Sequence, residues 1–319
     1  RDCGVELFVL DDGWFGARNS DKAGLGDYAV NTKKLPQGLA GLAQKVNALG
    51  MQFGLWMEPE MVSEDSDLYR AHPDWAVTTP GVAPSRGRNQ LVLDLCRGEV
   101  RDYIVQQVVT TIQSAPIRYV KWDMNRPLTD LYSPVLDEQG RFSHRYVQGL
   151  YDVLARVTAA CPDVLFESCA SGGNRFDLGM LCYMPQIWAS DDTDAYERQK
   201  IQTGTSYGYP QCVVGAHVSA SPNHQTARQS PLEARFDVAA FGLLGYELDL
   251  AVASPVEKKM MAAQISWYKA HREVLQQGRF YRLQSPFEAD GSRGAETRET
   301  RWMVVNEDRT EAVAGEFQG

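Results

Sequence analysis

The chain has 319 residues, 44% hydrophobic and 23% charged, a globular composition that excludes disordered and fibrous classes. Asp and Glu outnumber Lys and Arg by 41 to 32, for a net charge of -9, which opposes nucleic acid and anionic membranes as partners. No apolar run nears the roughly 20 residues that span a bilayer. At roughly 150 residues per domain the length suits two domains, or one α/β barrel of about 250 residues with an appendage. The six cysteines (Cys3, Cys96, Cys161, Cys169, Cys182, Cys212) are scattered without a CxxC pair. That pattern favours reduced thiols in a cytoplasmic setting over a disulfide framework. The chain starts at Arg1 and not Met, so it reads as a piece of a longer polypeptide whose start carries no information on targeting.

In chain order, residues 5–10 predict a strand ending at Asp11-Asp12-Gly13-Trp14, and residues 38–49 a helix stopped by Gly50. Residues 52–56 predict a strand ending at Met57-Glu58-Pro59-Glu60, followed by a long functional loop over 61–88. A helix at 100–114 leads to a strand at 118–122 that ends on Asp123. A helix at 143–160 precedes a strand at 164–166, closed by Glu167-Ser168-Cys169. The strand at 186–189 ends on Ser190-Asp191-Asp192, and a helix covers 195–205. Residues 211–215 predict a strand running into Ala216-His217, 231–241 a helix, 243–246 a strand, and 255–276 the longest helix.

Counted this way, seven strand-then-helix units precede about residue 278. Such alternation means a doubly wound sheet or a (β/α)8 TIM barrel. The barrel is favoured because nearly every strand ends in a carboxylate or another polar residue, where barrels carry their chemistry. Seven units against eight place the first strand upstream of this chain. Residues 1–278 are therefore read as an incomplete barrel and 279–319 as the start of a C-terminal all-β domain. Its strands are expected at 279–283, 302–305 and 312–317, around a turn-rich stretch at 288–300.

The strand ends carry the chemistry. Lys121 and Asp123 share a strand face, and a nearby cation favours an ionised, nucleophilic carboxylate; a structural ion pair or a helix cap is the alternative. Asp191, Asp192 and Asp194 lie within four residues, so one of them would hold a raised pKa if they converge. Asp194 suits an N-cap and Asp191, nearest the strand end, a general acid. Asp11 and Asp12 beside Trp14 suit recognition of sugar hydroxyls, with Mg²⁺ or Ca²⁺ ligation as the competitor. His217 and His224 lack the spacing of a helical metal pair and read as loop hydrogen-bonders. The small-residue turn SCASGGN at 168–174 lets backbone approach a ligand but lacks the ending of a phosphate loop.

Taken together these segments resemble glycoside hydrolase family 36, the bacterial α-galactosidases. The resemblance rests on FVLDDGWFG (8–16), GLWMEPEM (54–61), KWDMNR (121–126), FESC (166–169), WASDDTD (188–194), GAHVS (215–219) and GYELDL (245–250). It implies a retaining double displacement on α-1,6-linked galactose of melibiose- or raffinose-type sugars. Asp123 would be the nucleophile and Asp191 the acid/base, with the two carboxyls about 5–5.5 Å apart. By the same resemblance Asp11 and Asp12 would hold galactose hydroxyls. Trp56, Arg88, Lys121, Cys169, Trp188 and Ser190 would line the pocket, and the Ser171-Gly172 turn would add a backbone donor. No cofactor or metal is implied, and a homo-oligomeric parent is. A galactosyltransferase of the raffinose-synthase type and an inactive sugar-binding fragment remain the alternatives.

Overall fold

The structure, a computed structural model, describes residues 1–287 and 299–318. Two compact units divide it, the first comprising Glu6–Ser171 and Asp177–Pro185, the second Arg1–Val5, Gly172–Phe176 and Gln186–Gly319.

The first unit is built on four parallel strands, β1 (Leu7–Leu10), β2 (Gln52–Met57), β5 (Ile117–Trp122) and β6 (Leu165–Ser168), hydrogen-bonded in that order. Between β1 and β2 runs α1 (Gly38–Ala48). All of β2 after Gln52 is buried, as expected of a parallel strand covered on both faces. The expected loop at 61–88 instead contains β3 (Met61–Val62), paired antiparallel with β4 (Leu91–Val92), and the short helix α2 (Asp67–Ala71). Ser66 caps α2 by accepting from the Tyr69 N–H at 3.0 Å. These pieces are too short to show a hydrophobic period, which is why the sequence reads as loop.

Helices α3 (Gly98–Gln113) and α4 (Phe142–Ala160) bury residues at helical spacing, Val100, Ile104 and Val108 on one and Tyr146, Leu150, Val153 and Val157 on the other. Gly149 on α4 lets the helix lie against the Leu95 carbonyl, 2.1 Å from where a Cβ would stand. A further short helix, α5 (Leu178–Leu181), was not expected; Asp177 caps it. The core of this unit gathers around Trp122, Phe15, Phe53, Phe142 and Phe166.

The second unit has three parallel strands in order, β7 (Gln186–Trp188), β8 (Val214–Ser219) and β9 (Leu243–Glu247). Helix α6 (Ala195–Thr205) follows β7, α7 (Leu232–Ala239) follows β8, and α8 (Pro255–Gln277) follows β9. Two signals start α8: a capping box between Ser254 and Glu257, and proline at its first turn. Residues 211–213 form a 3-10 turn, so β8 begins three residues later than the pattern suggests and includes Ala216 and His217. His217 is thus a strand residue rather than a loop one.

An antiparallel sheet closes this unit, β10 (Arg279–Gln284), β11 (Glu299–Val305) and β12 (Ala312–Gln318). Of the expected turn-rich stretch at 288–300, residues 288–298 lie outside the described residues. Trp302, fully buried, meets Phe241, Phe280 and Phe317 at ring-centroid distances of 5.4, 5.9 and 4.8 Å. Among the described residues no helix is long and apolar enough to cross a membrane.

Candidate active site

Asp123 directly follows β5, and its backbone N–H continues the parallel ladder by donating to the Met57 carbonyl at 2.8 Å. That link aims a buried carboxyl from the carboxyl end of the sheet. Oδ2 accepts from Trp56 Nε1 at 3.1 Å and from Asn125 Nδ2 at 2.6 Å, while Oδ1 accepts from the Met124 N–H at 2.9 Å. Donors on both oxygens fix the orientation of the carboxyl. Trp56 is steadied in turn, since its carbonyl accepts from Trp14 Nε1 at 2.9 Å. Arg126, which flanks Asp123 in sequence, is directed elsewhere, to Asp130 at 3.3 Å and the Ser85 carbonyl at 2.6 Å.

Lys121, two residues back on the same strand, reaches Asp11 Oδ2 at 3.4 Å. Burial pulls its ammonium pKa down, but Asp11, Cys169, Glu167 and Asp123 together outweigh burial and raise it well above the usual lysine value. The cation is therefore permanent at any physiological pH. Asp12 binds the buried Arg18 through both oxygens, at 3.0 and 2.8 Å. The Asp11 side chain is 62% exposed and that of Asp12 38%, so each carboxylate is anchored by a cation and still offers lone pairs outward. Among the described residues no group of three or more His, Cys, Asp or Glu is arranged to hold a metal ion.

Cys169 is buried at the end of β6, its N–H donating to the Trp122 carbonyl at 2.8 Å. Ser171, at φ 48°, donates its hydroxyl to Asn125 Oδ1 at 3.1 Å. Asp11, Lys121, Cys169, Trp56, Asp123 and Ser171 thus belong to one set of contacts. Arg88 joins none of these among the described residues. It sits exposed at the tip of a tight turn closed by Gly87 and Gln90, with φ 50°.

Glu58 and Asn125, which are not among the residues singled out by the sequence, also belong to this set of contacts. Glu58 follows the end of β2 and is 1% exposed. Its Oε1 accepts from the Asn125 N–H at 2.5 Å and from Gln90 Nε2 at 2.7 Å. Burial first, and then the charge of Asp123, push its carboxyl from 4.5 up to about 7, against the pull of the Asn125 and Gln90 donors. The signal was the same one that singled out Asp123, a carboxylate just past a strand.

In the second unit, Trp188 ends β7 and donates Nε1 to Asp191 Oδ1 at 2.9 Å. The indole is held from its sides by the Arg198 guanidinium, 4.4 Å from the ring centroid, and by His217 at 4.3 Å. His217 is fixed by Glu247 at 3.1 Å. The three neighbouring acids do not converge. Asp192 accepts from the Asp194 N–H at 3.0 Å, and Asp194 caps α6 by accepting from the Tyr196 and Glu197 N–H groups. Ser190 accepts the Asp192 N–H at 3.1 Å through its hydroxyl and the Arg198 guanidinium at 2.6 Å through its carbonyl. Gly172, at φ 83°, passes so close that a Cβ there would lie 2.8 Å from Ser190 Cα and 3.0 Å from the Asp191 nitrogen. The turn therefore braces the backbone that carries Asp191.

Known proteins match this chain along nearly all of its length. It is 53% identical over 317 residues to α-galactosidase AgaA of Geobacillus stearothermophilus, covering 99% of this chain and 42% of that protein. It is 49% identical over 319 residues to α-galactosidase 1 of Pediococcus pentosaceus, again covering 99% and 42%. The chain therefore spans less than half the length of these relatives. Its fold matches the crystal structure of a variant of the GH36 α-galactosidase AgaA from Geobacillus stearothermophilus in complex with raffinose. That match has a TM-score of 0.95 at 52% identity, covering 99% of this chain and 43% of that one. With the family model for Melibiase matching residues 1–278 as well, the chain belongs to the Melibiase family.

Proposed function

We propose that the protein carrying this chain is a retaining α-galactosidase that removes terminal α-1,6-linked galactose from melibiose- and raffinose-type oligosaccharides. The observation that carries this reading is Asp123, a buried carboxylate at a strand end with donors on both oxygens. The raffinose bound to a relative of this fold supports the substrate class.

In the first step an Asp123 oxygen attacks the anomeric carbon while the bond to the leaving oxygen breaks, and that oxygen takes a proton from Asp191. In the second, water attacks the same carbon and gives its proton to Asp191, and the electron pair of the sugar–carboxylate bond returns to Asp123. Asp11 and Asp12 accept from galactose hydroxyls, held in place by Lys121 and Arg18. Trp56, Trp188, Cys169, Arg88, Ser190 and the Ser171–Gly172 turn line the sugar's surroundings. No cofactor is required, because a side chain is the nucleophile and protonation activates the leaving group.

The reading extends to residues 1–278 as part of a (β/α)8 barrel and 279–319 as the start of an all-β domain. It also extends to a cytoplasmic homo-oligomer without nucleic acid or membrane partners. The acidic net charge supports the absence of nucleic acid and membrane partners, and the six free thiols support the cytoplasmic setting.

In the protein that carries this chain, Asp123→Ala lowers kcat at least about 10³-fold, and azide then restores turnover with β-galactosyl azide as the product. Asp191→Ala slows poor leaving groups most, and azide yields the α-linked adduct. Undiminished turnover by the Asp123 variant, or the same azide anomer from both variants, overturns the assignment.

A further inference from the structure

We propose that Glu58 is the positioning residue of the nucleophile: it seats Asn125 against Asp123 and shapes the field in which Asp123 departs from the galactosyl-enzyme. The inference rests on the retaining mechanism proposed above.

The geometry is a short relay within one unit. Glu58 Oε1 holds the Asn125 backbone, and the Asn125 amide donates to Asp123 Oδ2 at 2.6 Å while accepting from Ser171 at 3.1 Å. Gln90 makes the second bond to the same Oε1, which leaves Oε2 to carry a proton. No cation neutralises Glu58 among the described residues. Arg18 is committed to Asp12, and Arg126 to Asp130 and Ser85. The other ionisable groups facing Glu58 are Asp123, which repels a second negative charge, and Tyr28, whose hydroxyl accepts the Glu58 N–H at 3.2 Å. Burial keeps Tyr28 protonated by raising its pKa well above the ordinary value. Glu60, two residues on, is occupied by Trp122 and Tyr146.

Charge on Glu58 acts oppositely on the two chemical steps. When Asp123 attacks, its negative charge is spent on the new bond, so a charged neighbour assists. When the sugar leaves, the electron pair returns to Asp123, and a charged Glu58 opposes it. Ionisation of Glu58, at about pH 7, therefore slows the second step.

The test uses 2,4-dinitrophenyl α-galactoside with the protein that carries this chain, because so good a leaving group makes the second step limiting and produces a burst. We expect kcat to fall about tenfold from pH 6 to pH 8.5, and Glu58→Gln to abolish that alkaline limb. Should the Gln variant fail to fold, Gln90→Leu serves instead. It removes a donor from the ionised carboxylate, so the limb moves to higher pH. A limb that persists in Glu58→Gln, stays in place in Gln90→Leu, or is missing from the unsubstituted enzyme overturns this inference alone. No turnover of the galactoside at any pH overturns the underlying mechanism with it.

Discussion

Asp123 Oδ2 receives two donors and Oδ1 one. That asymmetry leaves Oδ1 the oxygen with more lone-pair freedom, while Trp56 and Asn125 fix the plane of the carboxyl. Trp56→Phe keeps the packing and deletes one donor, a loss of about 1.5 kcal/mol. Turnover should drop roughly tenfold with little change in KM, which steady-state kinetics would reveal. Glu58 also governs stability. Between pH 4.5, its ordinary value, and about 7 the folded protein keeps a proton that the unfolded chain has lost. Stability therefore falls as pH rises through that window, by on the order of 3 kcal/mol. Chemical denaturation at several pH values should show the slope, and Glu58→Gln should flatten it.

Strand and helix ends hold the side chains that matter. Helix α6 starts on Asp194, whose carboxylate accepts two backbone N–H groups and also meets Arg228 at 3.1 Å. Asp194→Ala removes the cap and leaves that arginine without its inner partner, costing about 1–2 kcal/mol; a lowered Tm with intact helix content elsewhere would register it. Gly172→Ala is the sharper probe of the turn. A left-handed φ and a Cβ 2.8 Å from Ser190 Cα make a cost of about 1–3 kcal/mol the minimum. Because the backbone that must give way carries Asp191, activity should fall by more than stability, an imbalance that paired assays of Tm and kcat would detect. The alternation of strands and helices was legible in the sequence, since long elements such as α3, α4 and α8 advertise their buried face by period. Helix α5 and the β3–β4 pair were not, because two to four residues are too few to show a period.

The two units carry separate apolar cores, one around Trp122 and the other around Trp302. Trp302→Ala would open a cavity among three aromatic rings and destabilise the second unit by about 3–5 kcal/mol, to be measured by denaturant unfolding followed at near-ultraviolet wavelengths. Family membership was legible in the sequence, because motifs at successive strand ends keep their order along the whole chain. Asp11, Asp12, Asp123 and Asp191 stand out there as candidates, since a carboxylate after a parallel strand is marked by local pattern alone. Which partner each one has could not be named. Arg18 pairs with Asp12, Asp11 rather than Asp123 holds Lys121, and the acids at 191–194 diverge. Those pairings join residues as far apart as 110 positions along the chain. Burial and field at such a contact depend on tertiary neighbours that no local pattern encodes, so the upward push on the Glu58 carboxyl became visible only in the folded chain.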